Sequence, residues 1–163
     1  MLNETKKEVD LLDLKNIVES KHKIMGLDLG KKRIGVSIST SDISGALPLR
    51  TIQYSGINDL VDELSEIIKT HNVKAMVIGL PINMDGSEGK SSQSIRDKSN
   101  KISSFFKLPY CFWDERLSTA AVDRFYETSS KTRQKRINQK KDIDNLASAF
   151  ILEGALEYIK RNS

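Results

Sequence analysis

The chain has 163 residues, 38% of them hydrophobic, and 26 basic against 22 acidic side chains give a net charge of +4. That length suits one compact domain with its own core, and so modest a basic excess does not by itself prove a nucleic-acid partner. The single cysteine, Cys111, excludes an internal disulfide and points to a reducing compartment.

No apolar run approaches the ~18–20 residues that a membrane span needs. The N-terminus lacks the basic-then-apolar pattern of a signal peptide, and its acids argue against an organelle presequence. A cytoplasmic protein with no membrane partner is expected.

Residues 1–22 are read as an N-terminal extension to a single domain over 23–163. Val9, Leu11, Leu12, Leu14, Ile17 and Val18 recur among acids there, as in a weakly amphipathic helix. Two short apolar runs follow in Lys23–Ser39. Ile24, Met25 and Leu27 lead to Asp28, Gly30 and Gly35 are read as allowing a tight reversal, and Ile34, Val36 and Ile38 alternate again. Period two punctuated by glycine reads as paired strands. A carboxylate within such a strand is costly unless a cation or metal compensates it. The plainer reading is an acid that caps the following turn.

Ala46–Tyr54 reads as a third strand, with Pro48 at its start or on an edge. Asn58 offers an N-cap to a helix whose apolar face is Leu60, Leu64, Ile67 and Ile68. Residues 74–80 form a continuous apolar run, the mark of a strand covered on both sides, and Pro81 stops it. A polar loop from Asn83 to Ser94 passes into a helix ending near Phe106. Pro109–Trp113 is a fifth strand that finishes at Asp114, Glu115 and Arg116. Ser118 or Thr119 can cap a helix through Phe125, and residues 128–141 form a basic connector. A last helix from Ile143 to Ile159 is expected to turn Leu146, Phe150, Leu156 and Ile159 to the core, with Ala147, Ala149 and Ala155 easing close packing.

The order β-β-β-α-β-α-β-α-α predicts an α/β fold. Its mixed five-stranded sheet has three antiparallel strands, then two parallel ones, with helices on both faces. Strands one, four and five end at one edge, the usual place for a site in such a sheet. Asp28 lies on the first, Glu115 leaves the fifth, and Asp144 opens the last helix just after Asp142. Carboxylates are hard ligands suited to Mg²⁺ or Mn²⁺, whereas His22 and His71 are isolated and form no zinc cluster. Paired divalent ions between carboxylates serve phosphodiester cleavage. Each acid also has a plain alternative: Glu115 pairing with Arg116 at the surface, Asp144 complementing its helix N-terminus.

Lys131, Arg133, Lys135, Arg136, Lys140 and Lys141 follow one another with no acid between them. Such a run is either a solvated loop or an arm that binds phosphates without sequence choice. Lys31, Lys32 and Arg33, beside Asp28, suit the same role. Cys111, inside the apolar run Tyr110–Trp113, reads as a structural side chain rather than a nucleophile.

Four segments resemble the RNase H-like YqgF family, whose members are assigned as Holliday junction resolvases and as pre-16S rRNA nucleases. They are Gly26–Val36, Val77–Gly89, Asp114–Thr119 and Ile143–Ala149, in family order, and the resemblance spans roughly residues 23–160. It implies an RNase H-like fold and a metal-dependent nuclease whose catalytic, metal-holding carboxylates map to Asp28, Glu115 and Asp144. It also implies that the Asn83–Gly89 loop and Arg116 line the substrate groove. Lys31 departs from the family's frequent small hydroxyl residue, and Asp142 is an additional acid. Between the two substrates, 5′-end maturation of a 16S rRNA precursor is favoured, because no junction-specific feature stands in the sequence; branched DNA is the alternative.

Two other classes compete. Asp28-Leu-Gly-Lys-Lys also resembles the first phosphate loop of actin-like and sugar-kinase folds, but these need a second domain for which 163 residues leave no room. A nucleic-acid-binding protein without catalysis has no reason to bring acids into a basic groove, where they repel phosphate. Paired cuts in a junction would want a homodimer, whereas a single-strand nuclease works as a monomer.

Overall fold

The computed structural model describes residues 8–18, 21–117 and 143–162, with the side chains of 143–145 outside the description. Five strands form one sheet in the order β3-β2-β1-β4-β5. β1 (Lys23–Leu29), β2 (Arg33–Ser39) and β3 (Ala46–Gln53) are antiparallel neighbours. β4 (Val73–Leu80) pairs parallel to β1, and β5 (Tyr110–Asp114) parallel to β4. The mixed sheet expected from the order of elements is the one observed.

Side chains alternate across a pleated strand, so each strand feeds two cores. Met25, Leu27, Met76 and Ile78 face α2 (Ile57–His71) and α3 (Lys90–Phe106), where Leu60, Leu64, Ile67 and Ile102 complete one buried cluster. Ile24, Ala75, Val77, Cys111 and Trp113 face the other way. They pack with Leu14 of the short α1 (Asp13–Ile17) and with Ile151, Leu152, Ala155, Leu156 and Ile159 of α4 (Ile143–Arg161). The same alternation carries Asp28 and Gly79 onto the α4 face and points Leu29 and Leu80 into the α2–α3 core.

Helix α4 crosses this face in close contact at one point. The Ser148 hydroxyl donates to the Gly26 carbonyl at 2.7 Å, and the Ser37 hydroxyl donates to the Ser148 carbonyl at 2.9 Å. A Cβ on Gly26 would lie 2.3 Å from Ser37 Oγ and 2.9 Å from Leu152 Cβ, so only glycine admits the helix here. The far end of α4 reaches Asp42, Ile43 and Ser44, beyond the end of β2, so its N-terminus points toward the Asp28 end of β1.

Several local expectations are corrected. Gly35 lies in mid-strand, paired with Asp28, and the reversal is made by residues 30–32. Asn58 is inside α2; the cap position is Gly56, and the Ser55 hydroxyl donates to Asp59 at 2.8 Å. Helix α3 begins at Lys90, inside the stretch read as loop, because buried Ser92 donates its hydroxyl to the Pro81 carbonyl and seats the first turn. Leu146 and Phe150 are only half-buried; the helix turns Ser148, Ile151 and Leu152 inward instead, since the Ser148 contact fixes its rotation. In the N-terminal segment only Asp13–Ile17 is helical among the described residues. Glu8 instead forms a parallel bridge to Tyr110 on the edge of β5. The proposed cap at Ser118 or Thr119, the helix through Phe125 and the basic connector lie outside the described residues.

Candidate active site

Asp28, two residues beyond the Gly26 crossing, is half-buried on the α4 face near the end of β1. Glu115 follows the last residue of β5 in a single 3₁₀ turn, Glu115–Leu117. Gly79 of β4 stands between them. A Cβ there would sit 2.7 Å from Glu115 Oε1 and 2.5 Å from Ile151 Cδ1, so the missing side chain is the space into which Glu115 leans. The carboxylate that leaves β5 thereby approaches the one on β1, across the strand that separates them.

Burial, then the negative charges of Asp28 and Asp114, push the Glu115 carboxyl up to about 7. No cation neutralises it among the described residues. Its neighbour Asp114 has the opposite fate. Arg116 donates to both Asp114 oxygens, at 2.7 Å from Nη2 and 3.1 Å from Nε, and holds that carboxyl below the usual carboxylate range. The plain reading in which Arg116 pairs with Glu115 is therefore overturned, because the pleat sends the two acids to opposite sides and the guanidinium follows Asp114.

Arg116 Nη1 also reaches the Asn83 carbonyl at 3.4 Å. Asn83 in turn closes its own loop, its backbone N–H donating to Ser87 at 2.8 Å and its amide to Ser87 Oγ at 3.1 Å. Both expected groove residues are thus exposed at the rim of the site and committed to loop structure. Arg33 is exposed at the start of β2. Lys131, Arg133, Lys135, Arg136 and Lys141 lie outside the described residues, as does the side chain of Asp144.

The backbone of Asp144 is placed. It is the second residue of α4, one turn before Ser148 on the same side of the helix. Four helical residues rise about 6 Å and two strand residues about 6.6 Å, so Asp144 stands at nearly the height of Asp28. Among the described residues no three acidic, histidine or cysteine side chains gather in one group, and Asp28 and Glu115 are the two that converge. Hard oxygen donors that repel one another at neutral pH fit a divalent cation.

A cleft of about 190 Å³ opens over these acids, lined by Asp28, Gly30, Lys31, Pro81, Ser91, Ser94, Lys98 and Glu115 among others. Lys98 is a residue that the sequence reading missed. It belongs to a polar helix stretch that reads as solvated, and only its spacing from Ser91, Ser94 and Ile95 marks a shared face. Cys111 is buried, and its thiol is pushed up to about 12, which keeps it protonated and inert at neutral pH. No helix among the described residues is long and apolar enough to cross a membrane.

Residues 22–158 match the family model described as RuvX, Holliday junction resolvase. The chain belongs to this family. Its relatives include proteins named "Putative pre-16S rRNA nuclease". That of Pelagibacter ubique is 42% identical over 151 residues, covering 93% of this chain and 98% of its own. That of Bartonella bacilliformis is 43% identical over 141 residues, covering 86% of each. Among solved structures, Thermus thermophilus RuvC in complex with a Holliday junction substrate superposes with a TM-score of 0.55. It is 9% identical and covers 87% of this chain and 96% of its own. That likeness is one of fold, and the family places the chain among the nucleases built on it.

Proposed function

We propose that the chain is a metal-dependent nuclease that hydrolyses phosphodiester bonds in the 5′-end maturation of a 16S rRNA precursor. The observation that carries this reading is the approach of Glu115 to Asp28 over Gly79, which leaves the Glu115 carboxyl raised, with no cation beside it among the described residues. The names of its relatives favour the RNA substrate.

Asp28, Glu115 and Asp144 would hold two divalent ions, Mg²⁺ or Mn²⁺, between them. Such ions supply a nucleophile at neutral pH and offset charge developing on the leaving oxygen. The residues' own work is to arrange this. Glu115 gives up its proton as cations enter, Gly79 keeps the space that lets it reach Asp28, and Ser148 anchors the helix that carries Asp144. Arg33, Lys131, Arg133, Lys135, Arg136 and Lys141 draw in the phosphate backbone, with Asn83 and Arg116 shaping the rim. The place of action is the cytoplasm, where a monomer suffices to cut a single strand.

The family description favours a second reading, a resolvase of branched DNA acting as a homodimer. The decisive experiment incubates the wild type and Asp28→Asn with a labelled precursor rRNA 5′ leader, an unrelated single-stranded RNA and a four-way DNA junction, each with Mg²⁺, Mn²⁺ or EDTA. Metal-dependent cleavage of RNA, abolished by the substitution, is expected. Symmetric nicking of the junction alone would replace the substrate and keep the site. Binding of all substrates without cleavage, equal in EDTA, would leave a nucleic-acid-binding protein.

A further inference from the structure

The wall of the cleft opposite the two acids is one face of α3. Ser91, Ser94, Ile95 and Lys98 stand at positions i, i+3, i+4 and i+7, so all four face the same way. The Lys98 ammonium lies 4.3 Å from the centroid of the Tyr54 ring, which gives a long side chain a fixed direction. The lysine is half-buried, and that burial draws its pKa below the usual range.

The charges around it set Lys98 apart. At the same sheet edge Arg96 pairs with Glu88, and Arg116 with Asp114. Lys98 pairs with no carboxylate among the described residues. It lines the same cleft as Asp28 and Glu115. A half-buried cation with no anion beside it among the described residues, next to hydroxyl donors and in the cleft of the proposed nuclease site, has the chemistry to accept a phosphate.

We propose that Lys98, with Ser91 and Ser94, binds a backbone phosphate next to the one that is cut, and so positions the strand over Asp28 and Glu115. This rests on the nuclease reading above. It gives the cleft two subsites: the cation-holding carboxylates for the scissile phosphate, a ring-held lysine for its neighbour.

The test uses the full chain. Binding of a labelled single-stranded RNA is measured across a salt series in the Asp28→Asn background, alone and with Lys98→Gln, which keeps the stem against Tyr54 and removes the charge. Losing one contact to a single strand should flatten the plot of log affinity against log salt by about 0.7, making the fall between 50 and 200 mM about 2.5-fold smaller. Lys98→Arg should restore the slope. RNA with one neutral methylphosphonate linkage at successive positions should show one position that weakens binding with Lys98 present and has no effect with Lys98→Gln. An unchanged slope, or the same sensitive position without the lysine, would overturn the proposal, as would failure of the Asp28→Asn chain to bind RNA. Cleavage of the same RNA by the wild type is scored separately. Intact cleavage with an unchanged slope sinks the subsite alone, whereas a Lys98-dependent slope without cleavage sinks the nuclease.

Discussion

The loop after β4 and the cleft beside it stand side by side at the sheet edge and treat charge in opposite ways. In the loop, Asp85 accepts from the Ser87 N–H and hydroxyl and Glu88 is held by Arg96 at 2.7 Å, while beside it at the end of β5 Asp114 is held by Arg116. All three carboxyls are drawn below their ordinary values. In the cleft, Glu115 is raised to about 7 and Lys98 is lowered. A region that satisfies its own charges has finished its electrostatic work on folding. One that leaves an acid and a base each strained toward neutrality is built for charges that arrive later.

The largest test of that contrast is Glu115→Gln. Its cleavage rate should fall by at least about a hundredfold, since a neutral amide no longer completes the metal site. The same variant reads the strain directly in metal-free protein. The Glu115 carboxyl is pushed up to about 7 in the folded chain from its ordinary 4.5, so between these values the folded state binds more protons than the unfolded. Stability therefore falls as pH rises from 4.5 to 7 and is level above, by about 2–3 kcal/mol after allowance for partial solvation. Denaturant titrations should find the metal-free variant more stable than wild type at pH 8 and equal to it near pH 4. Equal stability at both values would mean that the cleft is as well neutralised as the loop.

Gly79→Ala removes the space without touching a charge. Its methyl would press on Glu115 Oε1 and Ile151 Cδ1, for a loss of about 1–3 kcal/mol and displacement of the carboxylate. The weaker metal affinity that follows is measurable by calorimetry. Ser148→Ala acts one step further away. It deletes the hydroxyl that donates to the Gly26 carbonyl and should cost about 1–2 kcal/mol, with cleavage falling as the start of α4 loosens.

The sheet was legible because its evidence is local: alternation, a continuous apolar run for β4, and glycines between. Asp28 and Glu115 were legible as acids at strand ends. Why they meet was not. That depends on Gly79, which in sequence is one small residue in an apolar run and becomes a space only when β5 lies beside β4. The start of α3 was missed because its seating bond, from Ser92 to Pro81, joins residues that no helical pattern relates. The inward face of α4 was misjudged for a similar reason. Apolar spacing favoured Leu146 and Phe150, whereas a buried serine at the crossing decided the rotation.

Arg116 gives the smallest effect and the sharpest distinction. Sequence resemblance places it in the substrate groove, and the structure shows it on Asp114 and the Asn83 carbonyl. For Arg116→Ala the loss of this exposed ion pair should leave stability nearly unchanged. Asp114, freed of its cation, remains ionised at neutral pH and adds its full charge beside Glu115, so the Glu115 carboxyl should move further up. Metal affinity, which requires that carboxyl ionised, should then shift its pH midpoint upward. A clamp of this kind leaves the salt dependence of RNA binding unchanged, whereas a phosphate ligand would flatten it by about 0.7, as expected for Lys98. Measured on the same RNA, the two variants should part: Arg116→Ala moves the metal midpoint and spares the salt slope, and Lys98→Gln does the reverse. If Arg116→Ala also flattens the slope, the loop's cations serve the substrate as well as the loop, and the division between a finished region and a waiting one no longer holds.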